Sequence, residues 1–215
     1  MIKKPQSYVG KNVITCEIAA AYTFCKLKAY FLLNLGKQEA QHEHISILKE
    51  ETNKNRENYL SMIKMKIQEA KPYSPEEMKK GISTLLDANF TFGDLEAYAD
   101  VLTRVEQSSS QIGHIYVPTI VIGTYKLSKD QKLLLAFSGY VLSKLQKEKV
   151  PFGTIITNGN VAHIIKLESL YKEIESLLMI ITKWVDTHNS ESPPIILNNH
   201  CPLSPFLETC EKKSL

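Results

Sequence analysis

Apolar residues recur at helical spacing from Glu17 to Leu35. Ala19, Ala20, Tyr22, Phe24, Leu27, Tyr30, Phe31 and Leu33 make one face, and Gly36 follows as a stop. The pattern predicts a helix there. A second helix is predicted from about Glu39 to Glu69. Its apolar residues, Ile45, Leu48, Tyr59, Met62, Ile63 and Ile67, are sparse, so it should cover a surface rather than fill a core. Ser74, Pro75 and Glu77 read as a cap, a first-turn proline and a capping-box glutamate, which opens a short helix to about Leu85.

Beyond Leu86 the period changes to two. Ala88 to Phe92 and Ala97 to Val105 alternate, residues 107–113 form a Ser-rich turn, and Ile115 to Ile122 read as a strand. Three adjacent antiparallel strands are expected. Ser128 then caps a helix from Lys129 to Lys147. Phe152–Ile156 and Val161–Ile165 flank Asn158-Gly159, a strong hairpin signal. An amphipathic helix spans Glu168 to Trp184, and Pro193-Pro194 begin a loop-like tail. The expected class is α/β (α+β): a mixed sheet of about five strands flanked by helices. Residues 1–85 form an N-terminal helical segment, residues 86–190 the α/β core, and residues 191–215 a cysteine-containing tail that packs on the N-terminal helix.

Composition narrows the class. The chain has 215 residues, 43% hydrophobic and 23% charged, which fits one globular domain and excludes disorder for most of it. The longest apolar runs, such as Thr119–Ile122 and Leu177–Ile181, are far too short to cross a bilayer. Lys3 and Lys4 have no apolar stretch behind them, so no secretion signal is read, and a cytoplasmic protein without a membrane partner is expected. Net charge is +3. Lys and Arg total 26, but the only arginines are Arg56 and Arg104. A lysine surface can hold phosphates without reading bases, since arginine is the residue that grips guanine edges.

Two groups of residues carry candidate chemistry. Cys201 and Cys210 lie nine apart in a proline-punctuated tail, and Cys25 is the natural third thiol. Three thiolates and one other ligand could hold zinc or an iron–sulfur cluster. Cys16 lies too far along the first helix to join them and reads as a small buried residue. The second group surrounds Asp100, a carboxylate inside an apolar strand that needs a partner or a metal. Arg104 could pair with it or hold a phosphate. Glu96, Glu50, Glu51, His42 and His44 could add metal ligands, the alternative for each being a solvated polar face. His114, His163 and His188 suggest no role.

Four motifs together resemble the RecB-like branch of the PD-(D/E)XK nucleases, which includes CRISPR-associated nucleases with iron–sulfur clusters. They are Tyr22-Thr-Phe-Cys-Lys-Leu-Lys-Ala-Tyr-Phe31, Asp100-Val-Leu102, Tyr116-Val-Pro118 and the terminal cysteine box. The nearest resemblance is to the RecB-like nuclease domain that precedes a helicase in larger bacterial proteins. Residues 123–133, residues 136–142 and His200-Cys-Pro-Leu203 look characteristic of it. The resemblance implies a restriction-endonuclease-like core in which Asp100 binds Mg²⁺ or Mn²⁺. An acid and a lysine should follow on the next strand, but those positions hold Ile120 and Ile122, and no acid lies between His114 and Lys129. Lys126 is the nearest lysine. The family's glutamine-then-tyrosine helix motif falls on Leu134 and Ser138, and its middle cysteine on Ser204. The implied function is metal-dependent hydrolysis of DNA, single-stranded or at ends, beside a helicase. One alternative is a non-hydrolytic DNA-binding module that uses Arg104, Lys126, Lys129 and Lys132, together with Lys144, Lys147 and Lys149. The other is a metal-stapled scaffold without DNA function.

Overall fold

The computed structural model describes residues 13–36, 43–106, 113–186, 192–198 and 201–213. The expected turn at 107–112, the expected start of the second helix at 39–42, and His42, His188 and His200 lie outside the described residues. The chain begins with β1 (Ile14–Thr15), α1 (Cys16–Phe24) and α2 (Lys26–Leu35). The single helix expected from Glu17 to Leu35 is thus two. Cys25 breaks it with extended backbone, φ −153° and ψ 101°. Its N–H still closes α1 on the Ala21 carbonyl, at 2.9 Å, and its Sγ accepts the Lys28 N–H that opens α2. Gly36 ends α2 at φ 73°.

Next come α3 (Glu43–Lys66), β2 (Lys71–Pro72) and α4 (Pro75–Lys79). The Ser74 Oγ accepts the Glu77 N–H at 3.1 Å, the cap that the sequence predicts. The helix is shorter than expected, because Gly81 at φ 74° turns the chain into the sheet before Leu85. The sheet follows: β3 (Thr84–Phe92), β4 (Leu95–Glu106) and β5 (His114–Val121), then α5 (Lys129–Gln146), β6 (Phe152–Thr157), β7 (Val161–Lys166) and α6 (Glu168–Asp186).

The fold is α+β, with a seven-stranded mixed sheet in the order β2-β3-β4-β5-β6-β7 and β1 added beside β4. The five expected strands are β3 to β7. The two extra strands have two residues each, too short to show an alternation. β3, β4 and β5 are antiparallel, as expected, and β5 pairs parallel with β6 across the α5 connection. The hairpin between β6 and β7 turns through Gly159 at φ 80°. α1 and α5 pack on one face of the sheet, where Leu133, Leu135, Phe137 and Val141 meet Ala88, Ala99 and Leu102. α3 lies on the opposite face, with Leu60 over Leu86 and Val101. Its outer side is mostly polar, with Ile47 and Met65 exposed as exceptions, which fits the sparse pattern in its sequence.

The tail returns to the start of the chain. Phe206 is fully buried against Leu27 and Phe31, its ring centroid 5.2 Å from that of Phe31. The Asn198 side-chain amide donates to the Phe24 carbonyl at 2.8 Å. The tail is more ordered than a loop: residues 201–203 form a 3₁₀ turn, and Cys210 sits on α7 (Leu207–Lys213). Among the described residues no helix is long and apolar enough to cross a membrane.

Candidate functional site

Alternation fails at one place in the sheet, and the site is built there. In β3, Phe90 and Ala88 face the main core, but so does Leu85. In β4, Ala97 and Ala99 face that core, but so does Leu102. Each strand therefore shifts face once, between these residues. The shift falls on Asp87 and Asp100, which oppose each other in register without pairing: the ladder runs from Leu86–Val101 directly to Ala88–Ala99. Asp87 takes left-handed backbone at φ 55°, which an aspartate tolerates better than most residues. As a result two consecutive residues of each strand, Leu86-Asp87 and Asp100-Val101, face α3.

The same point is where β4 and β5 part. Val101 still pairs with Thr119, but Ile120 and Val121 pair only with β6. The Asp100 carboxylate fills the fork. Its Oδ2 accepts the Val121 N–H at 2.6 Å, and its Oδ1 accepts the Nε–H of Arg56 from α3. The Nη2 of Arg56 donates to Oδ1 of Asp87. Asp100 is 2% exposed. Burial holds its carboxyl above the usual range, against the pull of the Val121 N–H and the guanidinium. For Arg56, the two carboxylates outweigh partial burial and raise the guanidinium further, so it is permanently charged.

Polar contacts fix α3 over the fork. The Asn55 side chain, 8% exposed, donates to the Ile122 carbonyl at 2.6 Å, and the Thr52 hydroxyl accepts the Gly123 N–H at 3.0 Å. A Cβ on Gly123 would lie 2.5 Å from the Thr52 backbone nitrogen, so only glycine admits the helix this closely. Tyr59 lies half-buried beside Asp100, its hydroxyl pushed up by burial and by that carboxylate.

Several sequence expectations are corrected at this site. Arg104 does not pair with Asp100. The shift of face at Asp100 turns Arg104 to the other side of the sheet, where its Nη1 donates to the Gly81 carbonyl at 2.6 Å and its Nη2 pairs with Glu106 at 3.2 Å. Glu96 is exposed, at the far end of β4 beside β1, about 13 Å of extended chain from Asp100. Glu50 and Glu51 are exposed on α3. Lys126 is exposed in the loop between β5 and α5. Ile120 and Ile122 are buried members of the main core. Among the described residues no three His, Cys, Asp or Glu side chains converge to hold a metal ion, so Asp100, Glu96 and Glu51 do not fit Mg²⁺ or Mn²⁺ as a set.

Arg56 and Asp87 were not expected. One signal for Arg56 was available: it is one of two arginines in a lysine-dominated chain. Asp87 could have been found from the hairpin, since a turn centred on Gly93-Asp94 places it opposite Asp100.

The cysteines form a second, separate place. Cys25, Cys201, Cys210 and Ser204 line one cavity of about 180 Å³, closed largely by Leu27, Ile195 and Phe206. The Cys201 Sγ accepts the Asn198 N–H at 3.3 Å, and the Ser204 hydroxyl accepts the Phe206 N–H at 3.3 Å. Lys28 lines the same cavity, its ammonium lowered by burial and raised in part by Cys25. Zinc does not fit, because its tetrahedral shell needs four ligands around one point and these do not converge. The thiols that the resemblance assigns to an iron–sulfur cluster, Cys25, Cys201 and Cys210, line this cavity with Ser204, but among the described residues they do not converge on one point. Cys16 is buried apart from them in the main core, as expected. No family model matches the chain, and no curated protein matches it.

Proposed function

We propose that the chain is a RecB-like, restriction-endonuclease-like nuclease domain that grips DNA without hydrolysing it, as a cytoplasmic DNA-binding module beside a helicase. The observation that carries this reading is the Arg56–Asp100 ion pair. A catalytic carboxylate must present free oxygens to a divalent metal. Here one oxygen is held by a backbone N–H and the other by a fixed guanidinium. The positions of the missing acid and lysine, Ile120 and Ile122, are buried in the core. The support for DNA is lysine placement. Lys126 and Lys129 are exposed before and at the start of α5, with Lys132 one turn on. Lys129 is paired with Glu173 at 2.7 Å on the surface, a contact that a phosphate can replace.

The test is labelled single- and double-stranded DNA with Mg²⁺ and Mn²⁺, beside Asp100→Ala. Retention of DNA without cleavage, unchanged in Asp100→Ala, is the expected result. Cleavage that disappears in Asp100→Ala would make the domain an active deoxyribonuclease instead.

A second reading, a cofactor-stapled scaffold, is favoured by the cavity that Cys25, Cys201, Cys210 and Ser204 share across both ends of the chain. A bound cluster would join α2 to the tail and add folding free energy. Iron and sulfide content with the visible spectrum of anaerobically purified protein checks it. A colourless, iron-free protein that folds normally would remove it.

A further inference from the structure

We propose that Tyr125 is a stacking platform for an unpaired base, which gives the domain a preference for single-stranded DNA over duplex. The inference rests on the DNA-binding reading above and names the residue that tells the two forms apart. Tyr125 stands in the loop between β5 and α5, residues 122–128, and is 78% exposed. It is the most exposed aromatic side chain among the described residues, and every other described tyrosine is buried or half-buried. The loop beneath it is held still. The Asn158 N–H donates to the Thr124 carbonyl and its side-chain amide to the Gly123 carbonyl, both at 3.0 Å. The Thr124 hydroxyl donates to the Lys126 carbonyl at 3.0 Å and accepts the Gln131 amide N–H at 3.2 Å. Leu127 packs on the main core. The backbone on both sides of Tyr125 is thus fixed before any ligand arrives, so a base that stacks there orders little besides the ring itself. Charge points to the same occupant. Lys126 follows directly and is exposed, Lys129 opens α5, and residues 122–128 hold no acid. Ring faces for bases, with ammonium groups for phosphates, are the means by which proteins hold single strands without reading sequence. A duplex, whose bases are already stacked on one another, cannot use the ring.

Binding of a labelled oligothymidine and of a duplex of equal length tests this on the full chain, read by fluorescence anisotropy over a range of salt. Tyr125→Ala should weaken single-strand binding at least about fivefold and leave duplex binding unchanged. The salt slope should stay the same, because stacking releases no counterions. Tyr125→Phe keeps the ring and should bind the single strand as the wild-type protein does. Abasic sites in place of the bases should weaken the wild-type protein and leave Tyr125→Ala little more to lose. Tyr125→Ala binding the single strand as tightly as wild type would overturn the proposal. So would an equal loss on single strand and duplex, which makes the tyrosine part of a general surface. Tyr125→Phe as weak as Tyr125→Ala would overturn it too, since the hydroxyl would then be the contact. A wild-type protein that retains neither DNA would remove the DNA reading and this inference with it. Wild-type binding that is indifferent to Tyr125→Ala would remove this inference alone.

Discussion

Asp100 sits where burial resists charge, with a fixed guanidinium beside it. A group whose folded value is raised gives stability that is full below its unfolded value and is lost as pH rises through the folded one. Arg56 limits that loss, and it can do so only where Asp100 is ionised. Arg56→Met is therefore expected to destabilise the protein by about 3 kcal/mol at neutral pH, the low end for a broken buried pair because Arg56 is one-third exposed. The difference from wild type should shrink as pH falls through the raised Asp100 value, since a neutral carboxyl no longer needs a cation. Urea unfolding at neutral and mildly acidic pH measures both. An equal difference at both would mean that Arg56 acts through packing alone.

At the scale of elements, α3 is attached by a few polar contacts and one small apolar cluster, whereas α5 is buried along its length. Its seat depends on close approach at Gly123. Gly123→Ala should cost about 1–3 kcal/mol, because the added methyl meets the helix backbone rather than a side chain that can swing away. Thermal melting reads this, and an unchanged melting temperature would mean that the helix slides without cost. The tail depends on Phe206. Its truncation to alanine should cost about 3–5 kcal/mol if the tail unfolds with the domain. Hydrogen exchange separates the cases: faster exchange confined to α2 and the tail would show that they open as a local unit.

For the whole molecule, a net charge of +3 is too small for strong steering, so any DNA affinity must come from local lysines. Replacing Lys126, Lys129 and Lys132 together by alanine should weaken DNA binding and flatten its salt dependence by roughly 2–3 units of slope. Binding titrations at several salt concentrations measure the slope. A slope unchanged by the three substitutions would move the DNA surface elsewhere, for instance to the cleft of about 440 Å³ lined by Lys144, Lys147 and Lys149 at the other end of α5.

The sequence by itself determined the class and most of the elements. Period-two runs, the Asn158-Gly159 turn and the caps at Ser74 and Ser128 act locally, through bonds between near neighbours, so they are legible without a fold. Cys25, Cys201, Cys210 and Ser204, which the resemblance implies as one ligand set, line one cavity without converging on a point, because helix ends and a 3₁₀ turn rather than a metal fix their positions. Tertiary structure decided the partner of Asp100. An even count along β4 puts Arg104 on the same face as Asp100, and that count holds only for an unbroken strand. The left-handed residue at Asp87 breaks the alternation of both strands, and nothing in the local pattern announces it. The true partner comes from a helix 44 residues earlier, and only the packing of α3 over the fork carries Arg56 there.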